Sequence, residues 1–156
     1  MPLSGGYTRG TGGALIGDAD LSTSFDGSSG LAVNSSPING PNVFSVETWF
    51  RTTSTSGGKI VGFGNNPTGT SSNYDRHFYM SPDGLLWFGV WNNGAYTVNT
   101  STPMNDGQWH HAVGTMSPAG VTLYVDGKKI GTNANTSIAQ PYTGYWRIGG
   151  DSAWNG

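Results

Sequence analysis

Turn chemistry divides this chain into runs too short for helices, and that punctuation constrains the fold more than any other feature. In "FYMSPDGLLWFGVW" Pro82 sets a negative φ and Gly84 can take the positive φ that a tight turn needs. "VWNNGAYTV" carries the Asn93-Gly94 pair and "LYVDGKKI" the Asp126-Gly127 pair, both preferred in two-residue hairpins because left-handed turn residues match the twist of the flanking strands. Hairpins in succession make neighbouring strands antiparallel. Runs bounded by Gly, Pro, Asn and Asp predict strands at "STSFDG", "FSVETWFRT", "GGKIVGFG", "RHFYMSP", "LLWFGVWNN", "AYTVNTS", "WHHAVGTMS", "VTLYVDG", "KKIGTN" and "YWRIGGD", while almost nothing supports a helix.

Side-chain parity assigns faces to these strands. In "VTLYVDG" Val121, Leu123 and Val125 share one face and Thr122 and Tyr124 the other. In "LLWFGVW" Leu86, Phe88 and Val90 oppose Trp87, Gly89 and Trp91, so both faces are apolar. One face then belongs to the core, and the Trp87/Trp91 face is expected to be wide, aromatic and partly open. Two sheets packed face to face bury so many short amphipathic strands economically. The expected fold is all-β, a two-sheet antiparallel β-sandwich of jelly-roll type. Residues 1–156 form one domain, with residues 1–11 expected as a loose N-terminal extension.

Composition removes several function classes. Charged residues make up 10% of the chain and the net charge is −2, so no basic surface is available to nucleic acid. There is no cysteine, which excludes disulfides, thiolate metal sites and thiol nucleophiles. No apolar run of the ~18 residues that a helical membrane span needs is present, and "MPLSGGYTRG" lacks the basic start and apolar middle of a signal peptide.

The order and spacing of "FSVETWFRTTSTSGGKIVGFG", "FYMSPDGLLWFGVW", "MNDGQWHHAVGTMSPAGVTLYVDGKKIGT" and "YWRIGG" resemble the LamG-like jelly-roll domains of the concanavalin A-like lectin/glucanase superfamily. "GALIGDADLSTSFDGSSGLAV" resembles the segment that opens such domains. The resemblance covers about residues 12 to 156 and lies in pattern, not in a catalytic fingerprint. It implies an extracellular or cell-surface setting, as part of a larger exported bacterial protein. It also implies a last strand beyond "RIGGDSAWNG", beside the "SFDG" strand, which this sequence lacks. An open sheet edge would follow, and such an edge recruits another strand. The expected occupants are a second copy, giving a strand-exchanged homodimer, a complementing peptide strand, or the N-terminal residues 1 to 14.

Similar domains often hold calcium, which requires hard oxygen ligands. The matching candidates are Asp26 and the Gly27 carbonyl of "SFDG", together with Asp151. In such domains a histidine of the "W-x-H-V-A" type helps to pack its strand, and His110 and His111 are read as scaffold in the same way. Adjacent on one strand, they point to opposite faces and cannot chelate one ion together. His77 stands apart and carries no pattern.

Glycan hydrolysis on this fold needs two carboxylates flanking the scissile bond. The chain has one glutamate, Glu47, read as an ordinary strand residue, and several of its aspartates lie in turns. The "E-x-D-x-x-E" strand of the related glucanases is absent, so no enzyme is expected. For a sugar, exposed aromatics stack on pyranose faces and amides bond hydroxyls. Tyr79, Trp87, Trp91 and Tyr96 with Asn92 and Asn93 form the best cluster. The polar loop 64–77 offers Asn73, Tyr74, Asp75 and Arg76 as a second rim. The reading is a non-catalytic module that binds a glycan or an extracellular protein. A structural display domain is the alternative, and a glycan-active enzyme the third class.

Overall fold

The computed structural model describes residues 1–154. Among these residues the chain forms fourteen strands and no helix. They are β1 (Leu3–Ser4), β2 (Tyr7–Gly12), β3 (Leu21–Phe25), β4 (Leu31–Val33), β5 (Ile38–Asn39), β6 (Phe44–Phe50) and β7 (Gly58–Gly64). There follow β8 (Tyr74–Met80), β9 (Leu86–Trp91), β10 (Ala95–Asn99), β11 (His110–Ser117), β12 (Gly120–Val125), β13 (Lys128–Asn133) and β14 (Thr143–Ile148).

An eight-stranded sheet runs β1-β4-β14-β7-β8-β9-β10, with β5 also pairing β14. A four-stranded sheet runs β13-β12-β11-β6, and β2 and β3 form a separate hairpin. All the strand pairs are antiparallel, as the chain of hairpins requires. The two larger sheets pack face to face. Phe78, Leu86, Phe88 and Val90 of the large sheet meet Ala112, Met116, Val121 and Leu123 of the small one, forming one apolar cluster. Alternation explains this placement: each of these residues lies on the inward parity of its strand. Gly114 of β11 leaves the space that the Phe88 ring fills, since a Cβ there would lie 2.5 Å from that ring.

Two turns follow their sequences. Asp126 and Gly127 both take left-handed conformations, with φ of 50° and 75°, between the paired residues Val125 and Lys128. Ser81 to Gly84 form a turn in which the Gly84 amide donates to the Ser81 carbonyl at 2.9 Å. The 92–94 connection corrects the two-residue expectation. Trp91 pairs directly with Ala95, so three residues intervene, and Asn93 rather than Gly94 has the left-handed φ, at 56°.

The N-terminal residues also depart from expectation. Residues 1–11 are not a loose extension: β1 pairs with β4 and β2 pairs with β3. Asp26 ties this region together, because the turn that it caps supplies the Ser29 hydroxyl oxygen that accepts from the Gly6 amide at 2.9 Å. The N-terminal segment therefore covers the opening strand β3 and leaves the outer edge of β6 without a strand among the described residues. Beside that edge lies an apolar groove of about 430 Å³, lined by Met1, Phe44, Val46, Val61, Trp146 and Ile148.

Candidate functional site

The outward face of the large sheet is a grid set by strand register. One row across it reads Lys59, Tyr79, Trp87, Asn99. The next reads Arg147, Gly62, His77, Gly89, Thr97, and Trp91 with Ala95 lies beyond it on β9 and β10. A bulge makes this row possible. The β7–β8 register passes from Val61↔Phe78 to Phe63↔Asp75, so Arg76 and His77 together oppose Gly62. Arg76, with φ of 48°, turns its guanidinium toward the Phe63 and Tyr142 rings, while His77 joins Tyr79 on the outer face.

Tyr79 and Trp87 stack across their pair at 6.0 Å with their planes 18° apart. Trp87 is half-buried, and its Nε1 donates to Ser81 Oγ at 3.0 Å, which fixes the indole. Trp91 is 38% exposed and the neighbouring Asn93 is exposed, with Asn92 half-buried. Trp154 lies over this face, with its ring 4.3 Å from His77 and 6.0 Å from each of Tyr79 and Trp91. Tyr79 is consequently buried.

Tyr96 does not join the cluster. It pairs with Val90, on the inward parity of β10, and packs against the core. The strand is offset by the three-residue turn, and parity then sends Ala95, Thr97 and Asn99 outward instead. The charges of the 64–77 loop are likewise internal. Asp75 and Arg76 belong to β8 and bond each other at 2.6 Å with both side chains fully buried. Asp75 also accepts from Tyr142 Oη at 2.7 Å and from the Trp91 amide at 3.1 Å. Burial raises its pKa, against the opposing pull of Arg76. Asn73 accepts from Gln140 Nε2 at 2.8 Å, so only Tyr74 of that group reaches the outer aromatic cluster.

Residues 25–156 match the family model Laminin_G_3, described as the concanavalin A-like lectin/glucanases superfamily. The chain belongs to this superfamily. A solved structure with the same fold is the carbohydrate binding module CBM66 from Bacillus subtilis, at TM-score 0.52 and 13% identity over 92% of this chain and 88% of that one. A native heptameric SAP-like pentraxin from Limulus polyphemus aligns at TM-score 0.49 and 18% identity over 69% of this chain. This chain spans about half of the pentraxin, 51%. A glycoside hydrolase family 16 endo-glucanase from Bacteroides ovatus aligns at TM-score 0.41 and 15% identity over 96% of this chain and 83% of that one. No curated protein matches the chain in sequence. At 13% identity the likeness to the carbohydrate binding module is one of fold.

In this member of the superfamily the calcium candidates Asp26, Gly27 and Asp151 do not form one oxygen cage. Asp26 Oδ1 accepts from the amides of Ser28, Ser29 and Gly30, and Oδ2 accepts from the hydroxyls of Ser28 and Ser29. Those backbone amides, chiefly, hold its carboxyl far below the usual carboxylate range. Asp151 bonds Lys59 at 3.0 Å and the Ser71 amide at 2.8 Å, and lies 3.5 Å from Arg147. Both carboxylates thus accept from N–H and O–H donors of the fold, and each is held by a separate set of partners. Among the described residues no three His, Cys, Asp or Glu side chains converge as a metal set. Burial lowers the Lys59 pKa to about 8 even with Asp151 beside it.

The two histidines serve opposite sides of the small sheet. His110 is largely buried and bridges two turns, with Nδ1 2.8 Å from Asp126 and Nε2 3.1 Å from Asp106. Burial opposes its charge, but the two carboxylates outweigh burial and raise its pKa. His111 points outward, 2.8 Å from Glu47 Oε1, with its ring 4.7 Å from that of Trp49. Glu47 is exposed on the free-edge strand of the small sheet, whereas the outer aromatic face belongs to the large one.

His77, Lys59 and Trp154 escaped sequence reasoning. The signal that could have found His77 is the pair of glycines at outward strand positions, "IVGFG" and "WFGVW", which clear space on both its sides. Nothing local in the sequence shows that those glycines become its neighbours.

Proposed function

We propose that the chain is a non-catalytic glycan-recognition module of a larger exported protein, binding on the outer face of the large sheet. The observation that carries this reading is the aromatic row: Tyr79 stacked under Trp87, with the part-exposed Trp91 and the amides of Asn92 and Asn93 beside it. Apolar ring faces flanked by hydrogen-bonding amides complement a pyranose. The fold shared with a carbohydrate binding module agrees with this reading. Catalysis finds no carboxylate pair here, because Asp75 and Asp151 are both buried in ion pairs with Arg76 and Lys59.

The test is binding of the purified chain to a glycan array, followed by titration of the best binder. Trp91→Ala should weaken binding about 30-fold, the scale of a central aromatic anchor. Trp49→Ala, on the exposed face of the small sheet, should leave it unchanged. Binding is expected to persist in chelator, since the Asp26 oxygens are engaged by donors; loss in chelator would reinstate calcium. A blank array from folded protein would end this reading.

One observation favours a second reading, display through strand addition. The free edge of β6 runs beside the apolar groove lined by Phe44, Val46 and Trp146, which suits an extended segment with alternating apolar residues. A complementing strand or a second copy seated there would raise the melting temperature or the mass of the complex. A monomer indifferent to concentration and to added strand peptides would count against it.

A further inference from the structure

We propose that the furrow holding Trp154 is the sugar subsite of this face, with His77 as its hydrogen-bonding floor and Trp154 as an internal occupant that a neutral pyranose ring displaces. The inference rests on the glycan-recognition reading above and says which residues hold the ring and what ring they hold.

The furrow follows from register. Gly62 and Gly89 lie on either side of His77 in one row, so no side chain stands next to the imidazole on β7 or β9. The Tyr79–Trp87 stack walls one side and Trp91 the other. Trp154 lies in this slot, with Cζ3 3.1 Å from where a Cβ on Gly89 would be. A slot that accepts an indole on edge-to-face aromatic contacts is of a size and apolarity to accept a sugar ring.

The floor shows that the indole is an imperfect occupant. His77 is fully buried, yet neither ring nitrogen has a hydrogen-bond partner. Buried polar atoms are nearly always bonded, and an orphan marks a place where a polar partner belongs. A neutral imidazole has one N–H donor and one acceptor nitrogen, which match the hydroxyls on the edge of a pyranose. The surrounding charges select a neutral sugar. The charged side chains nearby are withdrawn from the surface: Lys59 bonds Asp151, and Arg147 lies 3.5 Å from Asp151 and donates to the carbonyls of Asn66, Gly69 and Gly150. All three side chains are fully buried, so none presents an exposed charge to a uronate or sulfate. Trp154 lies three residues past Asp151, which Lys59 and the Ser71 amide hold in place, so displacement of the indole need not break that anchor.

The experiment uses the full chain and its Trp154→Ala variant, titrated with neutral gluco-, manno- and galacto-oligosaccharides and with glucuronate and sulfated oligosaccharides. The His77 ring is followed in parallel by imidazole NMR. The expected result is that Trp154→Ala binds a neutral oligosaccharide about tenfold more tightly, because the sugar no longer competes with an internal aromatic contact. The His77 ring should become solvent-accessible in that variant and shift on sugar binding. His77→Phe should lose binding, while His77→Gln, which keeps a donor and an acceptor, should retain part of it at similar thermal stability. Wild-type binding with no gain in Trp154→Ala, a His77 ring unmoved by sugar, or preference for the charged sugars would overturn the inference and leave the recognition reading standing. No binding by either protein would overturn both.

Discussion

Two histidines make opposite demands on this protein as pH changes. His77 is buried and neutral, its pKa depressed well below 6.5 by burial and then by Lys59. The unfolded chain takes up a proton there that the folded one refuses, so stability falls as pH drops below about 6.5. His110 is raised above 6.5 by Asp126 and Asp106 against burial, so its contribution is full below that pH and is lost as pH climbs through the folded value. Urea unfolding between pH 5 and 8 should therefore show a stability maximum near pH 6.5. His110→Gln should flatten the alkaline limb and His77→Phe the acid limb; Lys59, titrating at about 8, limits the range. Gly114 provides a second prediction at this scale. A Cβ there would lie 2.5 Å from the Phe88 ring, so Gly114→Ala should cost about 1–3 kcal/mol by equilibrium denaturation, as overpacking does.

At the scale of elements, β6 is the informative strand. It pairs β11 on one edge through residues Phe44 to Phe50, and its other edge has no partner among the described residues. Every second amide of β6 should then be protected from hydrogen exchange and the alternate ones should exchange with solvent quickly, a pattern that mass spectrometry or NMR would resolve. Uniform protection along β6 in isolated protein would mean that something already covers the edge. Arg147 has a related role on β14. Its guanidinium donates to the carbonyls of Asn66, Gly69 and Gly150, so one buried side chain joins the 64–73 loop to the segment after β14. Arg147→Met should leave these carbonyls and Asp151 short of a partner and cost about 3–5 kcal/mol in the same denaturation assay.

At the scale of the whole molecule, one apolar layer between two sheets carries the stability. Leu123 and Phe88 are both fully buried within it, one from each sheet. Leu123→Ala should cost about 2–5 kcal/mol, a large share of the roughly 5–15 kcal/mol typical of a domain. Because both sheets share that layer, the loss should appear as a single transition by tryptophan fluorescence and by circular dichroism alike. Two separated transitions would show that the sheets unfold independently.

Strands β3 and β6 to β14, the two facing layers and the inward set Val121, Leu123 and Val125 were legible in the sequence because alternation and turn chemistry are local, and each acts over a few residues; β1, β2, β4 and β5 were not. Local pattern also indicated Trp87 and Trp91 as partners on one face, since residues two apart on a strand share a side. What crosses between strands was decided by tertiary structure. A third residue in the 92–94 turn offset β10 and turned Tyr96 into the core, and a bulge opposite Gly62 sent Arg76 and His77 apart. The pairing of β2 with β3, the ion pair of Asp151 with Lys59 and the seat of Trp154 over His77 join residues distant in the chain. Register between strands depends on turn length and bulges, and a shift of one residue reverses every side chain. That is why the faces could be read from the sequence and the furrow across them could not.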